Sequence, residues 1–267
     1  MNRWYFIFVQ WFKRDLAGRY RGSWLGLFWP LVQPLAQIAV FTLIFHGFMQ
    51  VRWPSAVIAD TGTSAGSGGA WSYALNVLAG LTVFNFFAEV LGRSPTAVLS
   101  QPNLVTKVRF PLLLLPAVTV GAALVHVGVG AVVLVLAAAV AGTWTPQIAW
   151  LPLWLLPVVL YGASLAMLLA SLGVYVRDIA QAMPAVTSLL MFLTPIFYPL
   201  AAIPPSMRTL FELKPVAWAA ESLRSLLLDG RPLNLTDWSW HLAISACAAL
   251  AAAWVFRRLQ EGFADVL

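Results

Sequence analysis

The sequence predicts an all-α integral membrane protein with six membrane-crossing helices. Of its 267 residues, 61% are hydrophobic and 10% are charged, whereas an ordinary soluble domain has about 25% charged residues. Five charge-free stretches are long enough to cross a bilayer, because a helix of about 20 residues covers roughly 30 Å of hydrocarbon. Most Lys and Arg residues lie at the ends of these stretches, on one side of the predicted bilayer.

This composition excludes several classes of protein. A soluble enzyme or a disordered chain would carry far more charge. The single Cys247 cannot build a disulfide framework within the chain. The net charge of +6 would suit a nucleic-acid-binding protein, but the cations sit at span ends and form no continuous patch, so that class is excluded as well.

The charge-free stretches set the boundaries of the spans. Between Arg109 and Arg177 lie 67 uncharged residues, enough for two spans, and we divide them at the turn-forming segment 142–146. The predicted spans are residues 27–49, 71–90, 112–141, 149–175, 179–203 and 238–256.

An amphipathic helix over residues 1–26 precedes the first span. Its polar face contains Lys13, Arg14 and Arg21, whereas Asp15 and Arg19 depart from the pattern. The apolar face holds Trp4, Phe8, Trp11, Phe12, Leu16 and Tyr20. This arrangement is typical of a helix lying along an anionic lipid surface, so we call residues 1–26 the interface helix. A frayed extension of span one is the alternative. We expect the segment to stay attached, since no small-residue cleavage site follows it.

Positive charge sets the orientation. Eleven Lys and Arg residues fall on the side of the two termini and five on the opposite side. By the positive-inside rule, both termini are therefore cytoplasmic, which agrees with an even number of spans.

The inner turn, residues 93–110, joins spans two and three on the cytoplasmic side. Pro95 and Pro102 are expected to bracket a short helical piece, and Lys107 keeps the turn at the inner surface. A merely basic inner loop is the alternative. Glu89, the only acid inside a predicted span, is expected to pair with Arg93 and anchor the membrane edge, with a part in translocation as the alternative.

The outer segment, residues 204–230, is patterned but too short to span. It carries apolar residues at helical spacing, namely Val216, Ala219, Ala220, Leu223, Leu226 and Leu227, and ends at Asp229-Gly230. Pro215 prevents one continuous helix, so we expect two short amphipathic helices hinged near Lys214-Pro215 that dip into the outer leaflet or cap a pathway.

The fifth span is interrupted by Pro184, Pro195 and Pro199. Broken backbone at membrane depth is tolerated only where protein or a water-filled cavity satisfies the freed carbonyls. We therefore expect this span to line an aqueous conduit.

Four blocks of the sequence, in order, resemble the permease subunit of ATP-binding-cassette exporters that move lipid-linked polysaccharides such as O antigen, capsule or teichoic acid. The blocks are KRDLAGRYRGSWLGLFWPLVQP (Lys13 to Pro34), NLVTKVRFPLLLLP (Asn103 to Pro116), VRDIAQAMP (Val176 to Pro184) and TPIFYPLAAIPPSMRTLFELKPVAWAAESLRSLLL (Thr194 to Leu228). Together they extend over nearly the whole chain.

The resemblance implies a homodimer of six-span subunits in the cell inner membrane, paired with two copies of a cytoplasmic ATPase. The substrate would be a polysaccharide attached to polyprenyl diphosphate. The fifth span would be re-entrant and residues 204–230 would be external gate helices. No lysine follows a glycine in this chain, so it has no phosphate-binding loop. We therefore expect no enzyme activity in this chain, with ATP and Mg²⁺ bound by the partner subunit.

The resemblance also assigns roles to residues. Those expected to couple to the ATPase are Arg93, Pro95, Pro102, Asn103, Leu104, Lys107, Arg109, Phe110, Arg177 and Asp178. Those expected where substrate is admitted, or at anionic headgroups, are Lys13, Arg14, Arg19, Tyr20 and Arg21. Those expected to line the channel or form its gate are Phe192, Phe197, Tyr198, Trp218 and Arg224. Ordinary packing is the alternative for each aromatic residue, and a helix cap is the alternative for Arg177 and Asp178.

Other chemistry has little support in the sequence. His46, His126 and His241 fall in different spans without ligand spacing, so we expect buried packing and neither a metal site nor a catalytic residue. Two other functions stay open. One is a permease for a small hydrophobic drug or lipid. The other is a membrane enzyme acting on polyprenyl-linked sugars, for which only Glu89 and Asp178 are plausibly placed.

Overall fold

The computed structural model consists of α-helices joined by short 3₁₀ and π turns, and the residues that it describes contain no β-strand. It describes residues 3–20, 24, 26–48, 50, 53, 67–107, 110–140, 146–204, 206–207, 211 and 214–267. In these ranges the α-helices are α1 (Arg3–Tyr20), α2 (Trp29–Phe41), α3 (Ser67–Arg93), α4 (Pro102–Thr106), α5 (Leu114–Val140), α6 (Leu151–Tyr175), α7 (Asp178–Leu193), α8 (Pro215–Leu227), α9 (Leu235–Leu259) and α10 (Phe263–Val266).

Four helical segments are long and apolar enough to cross a membrane within the described part of the chain. They are Gly69–Thr96, Leu114–Val140, Pro146–Tyr175 and Leu235–Val266. They correspond to the second, third, fourth and sixth predicted spans. The chain is therefore a multi-pass membrane protein.

The first and fifth predicted spans are shorter apolar helices, Trp29–Ile44 and Asp178–Leu193. After α2 the chain continues as a π turn over Thr42–Phe48. α7 ends at Leu193 because Thr194 precedes Pro195 and takes the extended conformation that a following proline favours. The number of six spans therefore stays a prediction.

The prediction that Pro184 interrupts the fifth span is wrong. Pro184 lies inside α7, and the helix continues through it to Leu193. The cost is the backbone hydrogen bond that proline cannot donate, together with the crowding of its ring against the carbonyl four residues earlier. The break comes later, where residues 194–199 leave the helix before the 3₁₀ turn Leu200–Ala202.

α3 forms the centre of the protein and contacts α2, α5, α6, α7 and α8. Small residues on its neighbours allow close approach, which is the usual basis of helix packing in membranes. A Cβ added at Gly162 of α6 would collide with the Phe86 ring of α3, and one added at Gly130 of α5 would collide with Thr82. α1 lies against α5 in the same way, with the rings of Phe8 and Phe12 beside Gly121.

α8 follows the predicted amphipathic pattern. Val216, Ala219, Ala220, Leu223, Leu226 and Leu227 are all buried. Pro215 lies in the first turn of the helix, and Gly230 just beyond its end has a φ of +65°, a conformation that suits glycine. Most of the predicted first gate helix lies outside the described residues, so the pair of gate helices stays a prediction.

Arg224 of α8 satisfies the broken backbone of the fifth span. Its side chain is 2% exposed. Its guanidinium donates to the carbonyl oxygens of Pro195 (2.8 Å) and Ile196 (3.0 Å). It also donates to the carbonyl of Asn76 in α3 (3.0 Å) and to the Glu221 carboxylate (2.8 Å).

Two further features complete this arrangement. The Tyr73 hydroxyl of α3 donates to the Phe197 carbonyl over 3.0 Å, so three successive carbonyls of the break are paired. A Cβ added at Gly80 would lie 2.6 Å from Arg224 Nη2, so a residue without a side chain is what leaves room for the guanidinium. The break is thus fixed to both α3 and α8.

Replacing Arg224 with Met removes every one of these donors while keeping an apolar side chain of similar length. We expect the purified protein to lose about 3–5 kcal/mol of stability, the cost of removing one partner from a buried charged network. Thermal unfolding in detergent measures this loss. Arg257→Met, at an exposed position of α9, is the matched control. Equal unfolding of the two variants would show that Arg224 does not hold the break.

Candidate functional site

The base of the inner turn is locked against α6. Ser94 and Val98 have no exposed surface. The backbone of Pro95 lies so close to Gly173 of α6 that a Cβ there would collide with the Pro95 carbonyl. Because such packing resists continuous deformation, the base and α6 form one rigid unit.

The tip of the inner turn is α4, which has an apolar back and a polar front. Leu104 and Val105 pack against the cluster that contains Phe256 and Phe263 near the C-terminus. Asn103 and Lys107 are exposed. The turn therefore presents polar side chains outward from a well-anchored support, which is the form that a docking element for a soluble partner requires.

The sequence predicted that Pro95 and Pro102 bracket a short helical piece, and this prediction is wrong. Pro95 lies within the 3₁₀ turn Ser94–Thr96, and Pro102 begins α4. Each proline starts a short helical segment because its fixed φ suits the first helical turn. Phe110 packs against Trp11 of α1, with ring centroids 5.8 Å apart. Arg109 lies outside the described residues.

Arg177 and Asp178 lie at the same end of the protein as the inner turn. Both are exposed at the start of α7, and α7 contacts the 3₁₀ turn Ser94–Thr96. Arg177 is the N-cap residue and Asp178 lies in the first turn, where a carboxylate is favourable to the helix dipole. The structure thus brings the predicted coupling residues of two separate chain segments together. Their coupling role stays a prediction.

A charged cluster joins α1, α3 and α5, and we call it the Arg19 cluster. Arg19, 7% exposed, forms ion pairs with Glu89 and, over 2.8 Å, with Asp15. Asp15 also lies 3.4 Å from the guanidinium of Arg93. On the other side, Nδ1 of His126 contacts the second carboxylate oxygen of Glu89.

The predicted pair of Glu89 with Arg93 is therefore wrong. Glu89 faces α1 and α5, where Arg19 and His126 lie, whereas Arg93 turns to Asp15. His126, which the sequence assigned to packing, belongs to the cluster. These partners lie 70 and 37 residues from Glu89 in the chain. Helical spacing therefore could not have identified them, because it relates only residues three or four apart.

A cavity of about 370 Å³ lies beside the Arg19 cluster, between α1, α2, α3 and α5. Gln33 and Asn85 contribute to its lining, and Asn85 donates to the side-chain oxygen of Gln37 over 3.2 Å. Polar groups of this kind at membrane depth face protein or a hydrated space. α3, the first of the four long helices, is therefore polar on the side that faces α1.

Two other cations of α1 lie on the face of the helix that points away from the rest of the protein. Lys13 and Arg14 are exposed, and the Arg14 guanidinium lies 4.6 Å from the centre of the Trp11 ring. Arg21 and the side chain of Tyr20 lie outside the described residues. The part of these residues in admitting substrate stays a prediction.

The aromatic residues of the broken span differ in exposure. The Phe192 side chain is 65% exposed, whereas Phe197 is buried with its ring 4.4 Å from that of Phe41. The Tyr198 hydroxyl donates to the Phe192 carbonyl over 3.0 Å. Of these three aromatic side chains, Phe192 alone is exposed.

The two predicted gate residues of α8 are buried within the chain. The Trp218 ring stacks on that of His241, at 4.2 Å and 19°, and Arg224 is bound to backbone carbonyls as described above. Beyond α8, burial raises the pKa of the Asp229 carboxyl, against the lowering effect of Arg231 and Arg224. Whether these residues border a pathway stays a prediction.

Within the described part of the chain, no group of three or more His, Cys, Asp or Glu side chains could hold a metal ion. Cys247 is exposed.

Comparison with known proteins agrees with this architecture. Two relatives named O-antigen export system permease protein RfbA align along almost the full chain. The one from Myxococcus xanthus is 26% identical over 95% of this chain and 92% of its own length. One from Klebsiella pneumoniae is 24% identical over 96% of this chain and 92% of its own length. The profile of the ABC-2 type transporter family matches residues 8–228. This chain belongs to the ABC-2 type transporter family.

Proposed function

We propose that the chain is the channel-forming permease subunit of an ATP-driven exporter that moves a polysaccharide linked to polyprenyl diphosphate across the cytoplasmic membrane. The observation that carries this proposal is the alignment with O-antigen export permeases over almost their whole length.

The proposed architecture is a homodimer of six-span subunits with both termini in the cytoplasm. α2 and α7, with the irregular segments that follow them, supply the first and fifth spans. The pairing of the break by Arg224 and Tyr73 supports a placement of the fifth span at membrane depth, since broken backbone there must be satisfied by protein or water.

Two copies of a cytoplasmic ATPase bind at the inner turns and supply the energy. Closure of the ATPase pushes each inner turn, spans one and five of the two copies separate, and the outer segments move aside. The anchored base and exposed tip of the inner turn support this route. A rigid base transmits displacement to α6 and does not absorb it.

Deleting the gene tests the function itself. We expect the deletion strain to lose its surface polysaccharide and to accumulate the lipid-linked polymer inside, with restoration by a plasmid copy. The polymer is detected by silver-stained gels of cell-surface and inner-membrane fractions. A strain that keeps its surface polysaccharide, or a purified transporter that carries a small lipid and no saccharide, would favour a different cargo.

The double variant Asn103→Ala, Lys107→Ala tests the inner turn. Both side chains are exposed, so we expect normal membrane insertion but export reduced by tenfold or more, because ATP hydrolysis no longer displaces the turn. Export is measured as surface polysaccharide, and ATPase activity is measured in the purified complex. Arg257→Ala, also exposed, is the control. Normal export by the double variant would show that α4, the tip of the inner turn, does not couple ATP hydrolysis to export.

The Arg19 cluster is proposed to hold the interface helix in place at the point where substrate is admitted. Arg19 and Glu89 are both largely buried, so removing one partner leaves an uncompensated charge. Lys13 and Arg14 are exposed on the opposite face of α1 and remain available for anionic headgroups or for the diphosphate.

A double-mutant cycle with Arg19→Gln and Glu89→Gln tests this positioning. We expect each single variant to expose α1 to limited proteolysis at least tenfold faster than wild type, and the double variant to be less than additive because both charges are gone. Lys13→Gln, which changes an exposed cation of the same helix, serves as the control. Strict additivity would mean that the two residues act independently.

A further inference from the structure

A second cavity, of about 550 Å³, lies at the end of the protein opposite the inner turn. Its lining comes from α8, from residues 231–234, from the first turns of α9 and from Leu200. We call it the outer cavity. Its volume falls within the range of roughly 300–1,000 Å³ that is typical of small-molecule sites. Of the residues given roles above, Trp218 and Glu221 line this cavity.

The outer cavity lies on one face of α8. Ala217, Trp218, Glu221, Ser222 and Ser225 line it, and positions 217, 221 and 225, like positions 218 and 222, are four residues apart. Arg224, on a different side of the helix, holds the broken fifth span. The same helix therefore separates the break from the outer cavity.

Two tryptophans border the outer cavity, one on each of the helices that enclose it. Trp218 of α8 is held by stacking on His241, and the His241 ring is in turn bonded to the Tyr161 hydroxyl at 3.1 Å. Trp240 of α9 is 59% exposed. One aromatic wall is thus fixed, and the other presents an accessible ring at the rim.

The polar groups of the outer cavity combine acceptors with donors. Asp237 uses one carboxylate oxygen to accept from the Asn234 amide over 2.7 Å, and Glu221 uses one to accept from Arg224 over 2.8 Å. A carboxylate can accept about four hydrogen bonds, so both retain capacity for further donors. Arg231 adds a planar group with several N–H donors at the exposed edge.

We propose that the outer cavity binds one pyranose unit of a saccharide, with its apolar face on Trp240 and its hydroxyls on Asp237, Glu221 and Arg231. A sugar ring has C–H-rich faces that suit an aromatic surface, and hydroxyls that both donate and accept. The lining supplies each of these complements. This inference rests on the proposed function, since it assigns the saccharide part of the cargo to a site on this chain.

A phospholipid headgroup fits the lining less well. Two carboxylates lie in the wall, and they would repel the phosphate of a headgroup, whereas sugar hydroxyls are neutral and can donate to carboxylates. The tryptophans alone would also suit a membrane-interface belt, but a belt does not account for the facing carboxylates and guanidinium.

Saturation-transfer NMR on the complete transporter, in nanodiscs of phosphatidylethanolamine and phosphatidylglycerol, tests the proposal. The probes are methyl glucoside, methyl mannoside, methyl rhamnoside and the oligosaccharides released from the host's own surface polysaccharide. The variants are Trp240→Ala and Asp237→Asn. The matched control is Trp254→Ala, because Trp254 lies on the same helix, is 63% exposed and is absent from the outer cavity.

We expect at least one probe to bind the wild-type and Trp254→Ala complexes alike, and to bind about tenfold more weakly to Trp240→Ala, with weaker binding also to Asp237→Asn. Equal binding by Trp240→Ala and Trp254→Ala would place the signal elsewhere and overturn the proposal. Absence of binding by every probe would overturn it as well.

The deletion strain separates this inference from the proposed function. If the strain loses its surface polysaccharide while no probe binds the outer cavity, the proposed function stands and the cavity inference fails. If the strain keeps its polysaccharide, the proposed function fails, and the comparison of Trp240→Ala with Trp254→Ala still decides whether the outer cavity binds saccharide. Melting temperatures of both variants close to wild type establish that each is folded.

Discussion

The structure depends on satisfying backbone carbonyls where the chain leaves α7, the helix of the predicted fifth span. Proline makes the break, because Pro195 forces Thr194 out of helical conformation and residues 194–199 cannot pair among themselves as a helix would. In an apolar surrounding each unpaired carbonyl costs several kcal/mol. Arg224 and Tyr73 remove that cost for three successive carbonyls. The planar guanidinium suits this task because it offers five donors in a fixed geometry.

A buried cation is itself unfavourable unless it is paired, and the chain meets this requirement in two places. At Arg224, Glu221 lies one turn earlier on the same helix and supplies the compensating charge. At Arg19, the compensation comes from Asp15 within α1 and from Glu89 on α3. The first network fixes the backbone that follows α7 at Pro195 and Ile196, and the second fixes α1 against α3. In the proposed mechanism, the moving segments are therefore held at two fixed ion-pair networks, one at Arg224 and one at Arg19.

The sequence predicted those features that depend on local composition. Charge-free length identified the four long helices, and helical spacing identified the buried face of α8 from Val216 to Leu227. It misjudged Pro184, because a helix can continue through one interior proline where its other hydrogen bonds and its packing outweigh the lost hydrogen bond and the ring clash. It also missed every pairing between distant segments. Glu89 was given the partner that helical spacing offers, but tertiary packing brings Arg19 and His126 closer. The burial of Arg224 was hidden because a cation on an outer helix normally faces water.

α8 links the two sides of the outer region. Its Arg224 side holds the broken span and its Trp218 side forms a wall of the outer cavity, so a rotation or shift of α8 changes both at once. Glu221 belongs to both, since it pairs with Arg224 and also lines the outer cavity. A sugar hydroxyl that donates to the remaining acceptor positions of Glu221 would share the carboxylate with Arg224 and weaken its interaction with the guanidinium, so that Arg224 would depend more on the carbonyls of the break. In this arrangement, occupation of the outer cavity and the conformation of the fifth span are coupled through one carboxylate, and by linkage each affects the other by the same factor.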